Sequence, residues 1–233
     1  MRIKKNNKIV TIWNKYWNNM LAVFIFLVVF SNQITHIFFE GADMGEIVWF
    51  CDSMSYLLAF ALWMKNRFLI TVVFLASVPA QFLWIVDFFL NIAGVGLGRT
   101  DWLFIDSNVW WTPYISTIMH GILIPSALYG VWKLGFVKKA IFGVYAIIII
   151  LLPITYFFTD PTINRNCVFY PCDLNFLEDR AEIITNSFYM TPAYLLKEIG
   201  LWIFYASIFY LLVIFFMSQV KKIKTSKELK TPN

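Results

Sequence analysis

The stretch AIFGVYAIIIILLPITYFF, from Ala140 to Phe158, decides the fold of this chain. It contains no charged side chain, and at 1.5 Å of rise per residue it gives a helix about 29 Å long. The hydrocarbon core of a bilayer is about 30 Å thick, which about 20 predominantly apolar residues can cross as a helix. The stretch therefore predicts a membrane-spanning helix.

Five further apolar stretches predict the same structure. They are Met20–Phe39, Ile47–Met64, Phe68–Asn91, Pro113–Trp132 and Leu195–Met217. The whole chain of 233 residues is 60% hydrophobic and only 14% charged, whereas a soluble domain carries about 25% charged residues. We expect an all-α bundle of about six transmembrane helices over residues 20–217, with tails at 1–19 and 218–233 and long outer loops at 92–112 and 159–193.

The basic residues predict the orientation of this bundle. Fifteen of the 19 Lys and Arg residues lie in the two tails and in the second-to-third and fourth-to-fifth turns, which six spans place on one side. By the positive-inside rule that side is cytoplasmic, so both termini are expected there and the protein in the cell membrane. Because the basic tails flank membrane spans, they predict contact with anionic lipid and not with nucleic acid.

Ionisable residues interrupt the apolar spans near the outer side. Asp52 follows Cys51 in the second span, Asp87 lies in the third and His120 in the fourth. A charge in hydrocarbon costs several kcal/mol, so such residues usually face a bundle interior and mark a functional site. The orientation predicts that these residues from three helices form one cluster in the outer leaflet.

Helical spacing adds candidate substrate-binding residues to the cluster. Residues three or four apart share a helix face, so Ser55 joins Cys51 and Asp52. Gln81, Trp84 and Asp87 form a polar stripe on the third helix, and Thr117 lies near His120 on the fourth. Each polar face needs a place inside the bundle, because lipid offers no hydrogen-bond partner.

Four interpretations of the cluster stay open. Asp52, Asp87 and His120 could pair as a structural polar network. Alternatively Cys51 acts as a nucleophile with His120 as its general base, the imidazole being oriented by Asp52 or Asp87. The two Asp residues could instead gate an ion or substrate pathway in a transporter or an assembly protein. A metal site is the fourth interpretation, although neither HExxH nor CxxC spacing is present, and no metal or cofactor is predicted.

Cys167 and Cys172 form a separate pair in the second outer loop. Four intervening residues permit a small disulfide-closed loop if the compartment is oxidising. The sequence does not choose between a bridge and two thiols, and it sets no oligomeric state.

Several motifs resemble a group of uncharacterised bacterial six-span integral membrane proteins. The resemblance rests on WFCD at 49–52, NRF at 66–68, the Gln81-x-x-Trp84-x-x-Asp87-Phe88 stripe, HG at 120–121, TDP at 159–161 and Asn164-x-Asn166. It covers most of the chain and implies the six-span fold, without an activity.

The cysteine of the second span and the lone histidine of the fourth more distantly resemble two families of lipid enzymes. One is the transmembrane Cys/His phospholipid acyltransferases, and the other is the androgen-induced type of fatty-acid-ester hydrolases. This resemblance implies Cys51 as nucleophile, His120 as base, and a lipid or small-molecule ester as substrate. The chain departs from both families in the Asp that directly follows the cysteine and in the Gln81/Asp87 stripe.

Overall fold

The computed structural model describes residues 7–39, 44–95, 100, 110–171 and 179–228. Seven α-helices lie in these ranges. They are α1 (Asn7–Ile34), α2 (Phe50–Trp63), α3 (Arg67–Ile92), α4 (Thr112–Leu134), α5 (Ala140–Phe158), α6 (Arg180–Thr185) and α7 (Pro192–Glu228). A π-helical segment, Thr35–Phe39, continues α1, and 3₁₀ helices form at Met44–Val48 and Arg165–Cys167. The chain is an all-α bundle, as the sequence predicts.

Five of these helices are long and apolar enough to cross a membrane: α1 from residue 16 onward, α3, α4, α5 and α7. Their length and composition fit a multi-pass membrane protein. The second predicted segment contains a shorter apolar helix, since α2 has 14 residues and is therefore about 21 Å long. Residues 47–49, which were expected to begin that span, lie in or next to the 3₁₀ helix instead.

The helices are arranged around α3. It packs against α2, α4, α5 and α7, while α1 packs against α2 and α4, and α5 packs against α7. Two glycines allow close packing on either side of α3. A Cβ atom added at Gly130 of α4 would lie 2.7 Å from Ile70 Cγ2, and one at Gly143 of α5 would lie 2.6 Å from Val72 Cγ2. Small residues of this kind let membrane helices approach closely.

The outer face of α7 has the character expected of a lipid-facing surface. Only 6% of its most apolar window is buried within the bundle, and its exposed side chains include Phe204, Leu211, Leu212, Phe215 and Phe216. Contiguous exposed apolar surface of this extent is rare on soluble monomers. This face therefore requires the hydrocarbon of a bilayer around it.

One end of the bundle carries the turns between α2 and α3 and between α4 and α5. The backbone N–H of Val137 donates to Thr71 Oγ1 at 3.2 Å and joins the two turns. Lys65, Lys133 and Lys138 are all exposed here, and we call this end the basic end. The opposite end carries the outer loops of the predicted topology.

At the opposite end, the loop 159–170 folds over the start of α2, and we call it the capping loop. Asn166 Oδ1 accepts from the backbone N–H of Phe50 at 2.9 Å, and its Nδ2 donates to Val48 O and to Thr155 Oγ1, both at 2.9 Å. Asn166 thus satisfies the N–H group at the start of α2 and joins it to α5. This contact explains why α2 begins at Phe50, within the bundle.

The capping loop also holds its own shape through hydrogen bonds. Asn164 Nδ2 donates to Tyr170 O at 2.8 Å, while Asn164 Oδ1 accepts from the N–H groups of Phe169 and Tyr170 at 3.0 and 3.3 Å. Asn164 and Asn166 have φ angles of 49° and 56°, a left-handed conformation that asparagine tolerates better than most residues. Cys167 directly follows them and is disulfide-bonded.

The ionisable groups of the capping loop are tuned by their contacts. The backbone N–H and hydroxyl of Thr162 donate to Asp160 Oδ1 at 2.8 and 2.7 Å, and these bonds, helped by the charge of Arg165, lower the pKa of Asp160. Burial, with a smaller contribution from Asp160, raises the pKa of Tyr170 to about 12. Tyr170 therefore stays neutral and donates its hydroxyl proton to Thr162 O at 3.2 Å.

Candidate functional site

His120 is buried on α4, and a single backbone contact fixes the protonation of its ring. Its Nδ1 lies 2.7 Å from Ser116 O, one turn earlier. A carbonyl oxygen accepts but does not donate, so Nδ1 must carry the hydrogen. In the neutral ring Nε2 is then left with a lone pair. The sequence predicted Asp52 or Asp87 as the group that orients the imidazole, but at Nδ1 the Ser116 carbonyl fills that position.

Trp84 of α3 fixes the plane of the same ring. The two rings stack with centroids 3.9 Å apart and an angle of 10° between their planes. Phe88 lies one turn further along α3 and stacks with Trp84, with 5.7 Å between the two ring centroids. Trp84 was predicted to bind substrate, and the structure gives it a second property, since it holds His120 against α3.

Cys51 and Asp52 lie in the first turn of α2. The Sγ atom of Cys51 is 3.9 Å from Asp52 Oδ2. Cys51 is half-buried and not disulfide-bonded, while Asp52 is buried. Asp52 is close enough to Tyr56, one turn along α2, to interact with it electrostatically. Tyr56 in turn donates to Gln33 Oε1 of α1 at 2.6 Å.

A close contact near the basic end provides a common reference level for three helices. The position of a Cβ at Gly130 of α4 lies 2.7 Å from Ile70 of α3 and 3.5 Å from Leu62 of α2. These residues therefore lie at one height in the bundle. Heights of other residues on α2, α3 and α4 follow from the helical rise of 1.5 Å per residue.

Cys51, Gln81 and His120 are separated from this level by nearly equal numbers of residues along their helices. His120 is ten residues from the reference residue of its helix, and Cys51 and Gln81 are each eleven residues from theirs. The rise is then about 15 to 17 Å for all three. No hydrogen bond joins Cys51 to His120 in the described part of the chain. We call Cys51, Asp52, Gln81, Trp84 and His120 the mid-bundle site.

Two polar atoms of α3 at or near this site have no partner. Gln81 Oε1 and, one turn closer to the basic end, Ser77 Oγ are buried and make no hydrogen bond within the described residues. On α1, Asn32 Oδ1 and Gln33 Nε2 are in the same state. An unsatisfied buried polar atom costs about 1–3 kcal/mol. Each of these atoms can form a hydrogen bond with a molecule inside the bundle, such as water or a substrate.

Asp87 lies further along α3 than Gln81. It is six residues beyond Gln81 on α3 and so about 9 Å nearer the opposite end. Thr100 donates its hydroxyl proton to Asp87 Oδ2 at 3.0 Å, and Asn91 Nδ2 donates to Thr100 Oγ1 at 3.3 Å. Asp87 thus holds a loop residue at the end of α3, and the shared cluster of Asp52, Asp87 and His120 stays a prediction.

The two remaining predicted binding residues use their hydroxyl protons locally. Ser55 donates to Cys51 O at 2.8 Å, and Thr117 donates to Pro113 O at 2.6 Å. In this state each hydroxyl can only accept a hydrogen bond from a substrate. Cys172, the other cysteine of the candidate disulfide pair with Cys167, lies outside the described residues.

Sequence reasoning missed several polar residues of the interior. Gln33 and Tyr56 link α1 to α2, and Ser77 adds a second unpartnered atom to α3. His36 is buried in the π-helical segment and is near enough to His120 to interact with its charge. The available signal was the polar run Asn32, Gln33 and Thr35 inside the first apolar span. Within the described residues no three His, Cys, Asp or Glu side chains converge as metal ligands.

Comparison of the chain with protein-family models, curated proteins and solved structures finds no match. The geometry of the mid-bundle site is therefore the basis for assigning a function.

Proposed function

We propose that this protein is a membrane-embedded enzyme that transfers or hydrolyses the acyl group of a lipid ester. Cys51 is the nucleophile and His120 the general base. The observation that carries the proposal is the bond from His120 Nδ1 to Ser116 O, because it leaves Nε2 as a proton acceptor inside an apolar bundle. Cys51 and His120 are also separated from the reference level by nearly equal numbers of residues, which supports the pairing.

The reaction has two steps. His120 Nε2 takes the thiol proton as Cys51 Sγ attacks the ester carbonyl carbon, and a carbon–sulfur bond forms. The bond from that carbon to the lipid alcohol breaks, and the alcohol leaves with the proton from His120. Water or an acceptor hydroxyl then attacks the thioester carbon and gives its proton to His120. The carbon–sulfur bond breaks, the acyl group leaves on the water or acceptor oxygen, and His120 returns the proton to the Cys51 thiol.

Two neighbours have supporting roles in this proposal. The amide N–H groups of the Gln81 side chain stabilise the oxyanion that forms on the ester carbonyl. Asp52 accepts from the resting thiol and keeps Sγ in the first turn of α2. The substrate enters from the surrounding bilayer, and the lysine distribution supports a topology with both termini on the cytoplasmic side of the cell membrane.

The test is to trap the acyl-enzyme. Wild-type protein in lipid nanodiscs is incubated with phospholipid carrying a labelled acyl chain, and the intact mass and the hydroxylamine-labile label are measured. We expect one acyl adduct on wild type, none on Cys51→Ala, and formation at least about 100-fold slower in His120→Gln. Thr185→Val, at an exposed site far from the mid-bundle site, is the control. An adduct that persists in Cys51→Ala sinks the proposal.

A second function has an observation in its favour. The unpartnered atoms of Asn32, Gln33, Ser77 and Gln81 favour a hydrated interior, as a transporter or polar pathway requires. In that case Asp52→Asn impairs function more than Cys51→Ala does. The acyl-trapping experiment separates the two, because a pathway forms no hydroxylamine-labile adduct.

A further inference from the structure

A groove of about 460 Å³ lies between α5 and α7 at the basic end of the bundle. It is far from the mid-bundle site and uses other residues. Its walls are apolar and aromatic side chains from both helices, with two lysines at its mouth. The lining comprises Lys138, Lys139, Ile141, Phe142, Tyr145, Ser207, Tyr210 and Leu211.

One hydrogen bond closes the inner end of the groove. The hydroxyls of Tyr145 and Ser207 lie 2.8 Å apart and join α5 to α7. Tyr145 is five residues beyond Ala140, the first residue of α5, so this bond lies about 7 to 8 Å from the start of the helix. The groove therefore occupies the depth at which lipid head groups give way to acyl chains.

The charge at the mouth is entirely positive among the residues that line the groove. Lys138 and Lys139 are both exposed, and they directly precede α5. The lining contains no carboxylate to neutralise them. Below them, Phe142 and Leu211 are largely exposed, at 68% and 63%. A molecule that fits this groove needs a negative group at one end and hydrocarbon at the other.

We propose that the groove binds one anionic glycerophospholipid. Its phosphate contacts the ammonium groups of Lys138 and Lys139, and an acyl chain lies against Phe142 and Leu211 as far as the Tyr145–Ser207 bond. Basic pockets between membrane helices recognise anionic head groups in this way. The volume is within the range of known ligand sites, and the surrounding bilayer supplies the ligand without a diffusing partner.

Surface lysines select anionic over neutral lipid even though their side chains are mobile. Each lysine near a membrane surface favours an anionic lipid about fivefold at moderate salt. Two lysines at the mouth of one groove therefore give a preference for phosphatidylglycerol over phosphatidylcholine of about 25-fold, which falls as salt screens the charges.

Native mass spectrometry tests the proposal. The full-length protein is reconstituted in nanodiscs of equal parts phosphatidylglycerol and phosphatidylcholine, released, and the retained lipids are counted. The test variant is Lys138→Gln/Lys139→Gln. The matched control is Lys65→Gln/Lys133→Gln, which removes the same charge from exposed positions at the same end that do not line the groove.

We expect wild type and the control to retain one phosphatidylglycerol preferentially, and the test variant to lose that preference about 25-fold. An unchanged ratio in the test variant overturns the proposal. An equal loss in both double variants also overturns it, because that result assigns the preference to diffuse surface charge. Leu211→Trp, which fills the exposed groove, should reduce retention of the bound lipid without changing the lysines.

Discussion

The capping loop and the mid-bundle site both bury polar side chains, but they use their hydrogen-bonding atoms differently. Asn164 and Asn166 each engage both the oxygen and the nitrogen of the amide. In the mid-bundle site Gln81 Oε1 has no partner in the described part of the chain, and Cys51 Sγ has a contact of 3.9 Å. The bond from His120 uses Nδ1 and leaves Nε2 as an acceptor.

This difference separates structural from functional polar groups. A satisfied buried amide stabilises the fold, whereas an unsatisfied one costs about 1–3 kcal/mol and needs another reason to be present. The capping loop therefore behaves as a clamp on the start of α2. The unsatisfied amide of the mid-bundle site is typical of a binding site.

The largest effect should come from removing the clamp. Asn166→Ala deletes the bonds to Phe50, Val48 and Thr155, which we expect to lower the free energy of unfolding by about 3–4 kcal/mol. Denaturant unfolding of the purified protein in detergent measures this change. Asn186→Ala is the control, because Asn186 is exposed and its bond to Phe188 lies at the surface. An equal loss in both variants would remove the distinction drawn for the capping loop.

The next effect tests whether Asp87 belongs with the loops. Thr100→Val removes the donor to Asp87 Oδ2 and should lower the free energy of unfolding by about 2 kcal/mol. Thr100→Ser, which keeps the hydroxyl, should retain most of the stability. The acyl-enzyme should still form in Thr100→Val at a rate close to wild type. A selective loss of that reaction with unchanged stability would return Asp87 to the catalytic group.

Gln81→Leu tests the other half of the comparison, the unsatisfied amide of the mid-bundle site. Because Gln81 Oε1 is buried without a partner, an apolar side chain of similar size should raise the free energy of unfolding by about 1 kcal/mol. The same change should slow formation of the acyl-enzyme. Ser77→Ala serves as a parallel variant, since Ser77 is unpartnered one turn away. If Gln81→Leu is strongly destabilising, Gln81 has a structural role like that of Asn166.

The smallest effect concerns the pH dependence of the capping loop. The hydrogen bonds from Thr162 hold the pKa of Asp160 below its ordinary value of 3.8. The folded form therefore gains stability above that ordinary value and loses it as the pH falls through the lowered pKa. Asp160→Asn should melt below wild type at pH 7, and the difference should shrink as the pH is lowered toward 3. A difference that is constant with pH would show that the charge of Asp160 is unimportant.

Much of the fold follows from the sequence because the length of each apolar run sets the length of the helix that it forms. The predicted range of α5 agrees residue for residue with the structure, and α3 and α4 differ by one or two residues at each end. The second predicted segment, Ile47–Met64, contains a helix of 14 residues, and a loop far along the chain contacts its first residue. The Asn166 side chain and the Phe50 backbone that it holds are 116 residues apart in sequence.

The site was predicted in outline for a related reason. The rarity of polar residues in apolar spans points to Cys51, Asp52, Gln81 and His120, and helical spacing gives their faces. Spacing along one helix cannot give the height of one helix relative to another, so the grouping of Asp87 with Asp52 and His120 stays a prediction. Nor does it reveal that a backbone carbonyl holds the ring of His120.

The sequence by itself determined that this chain is an all-α protein of membrane-crossing helices with polar residues in its interior. Burial of long apolar runs and internal pairing of the backbone leave few other structures. Only the tertiary structure decided that α2 is short and that Asp87 accepts a hydrogen bond from Thr100. Those outcomes depend on contacts between residues apart in sequence, such as that of Asn166 with Phe50, which spacing along one helix does not give.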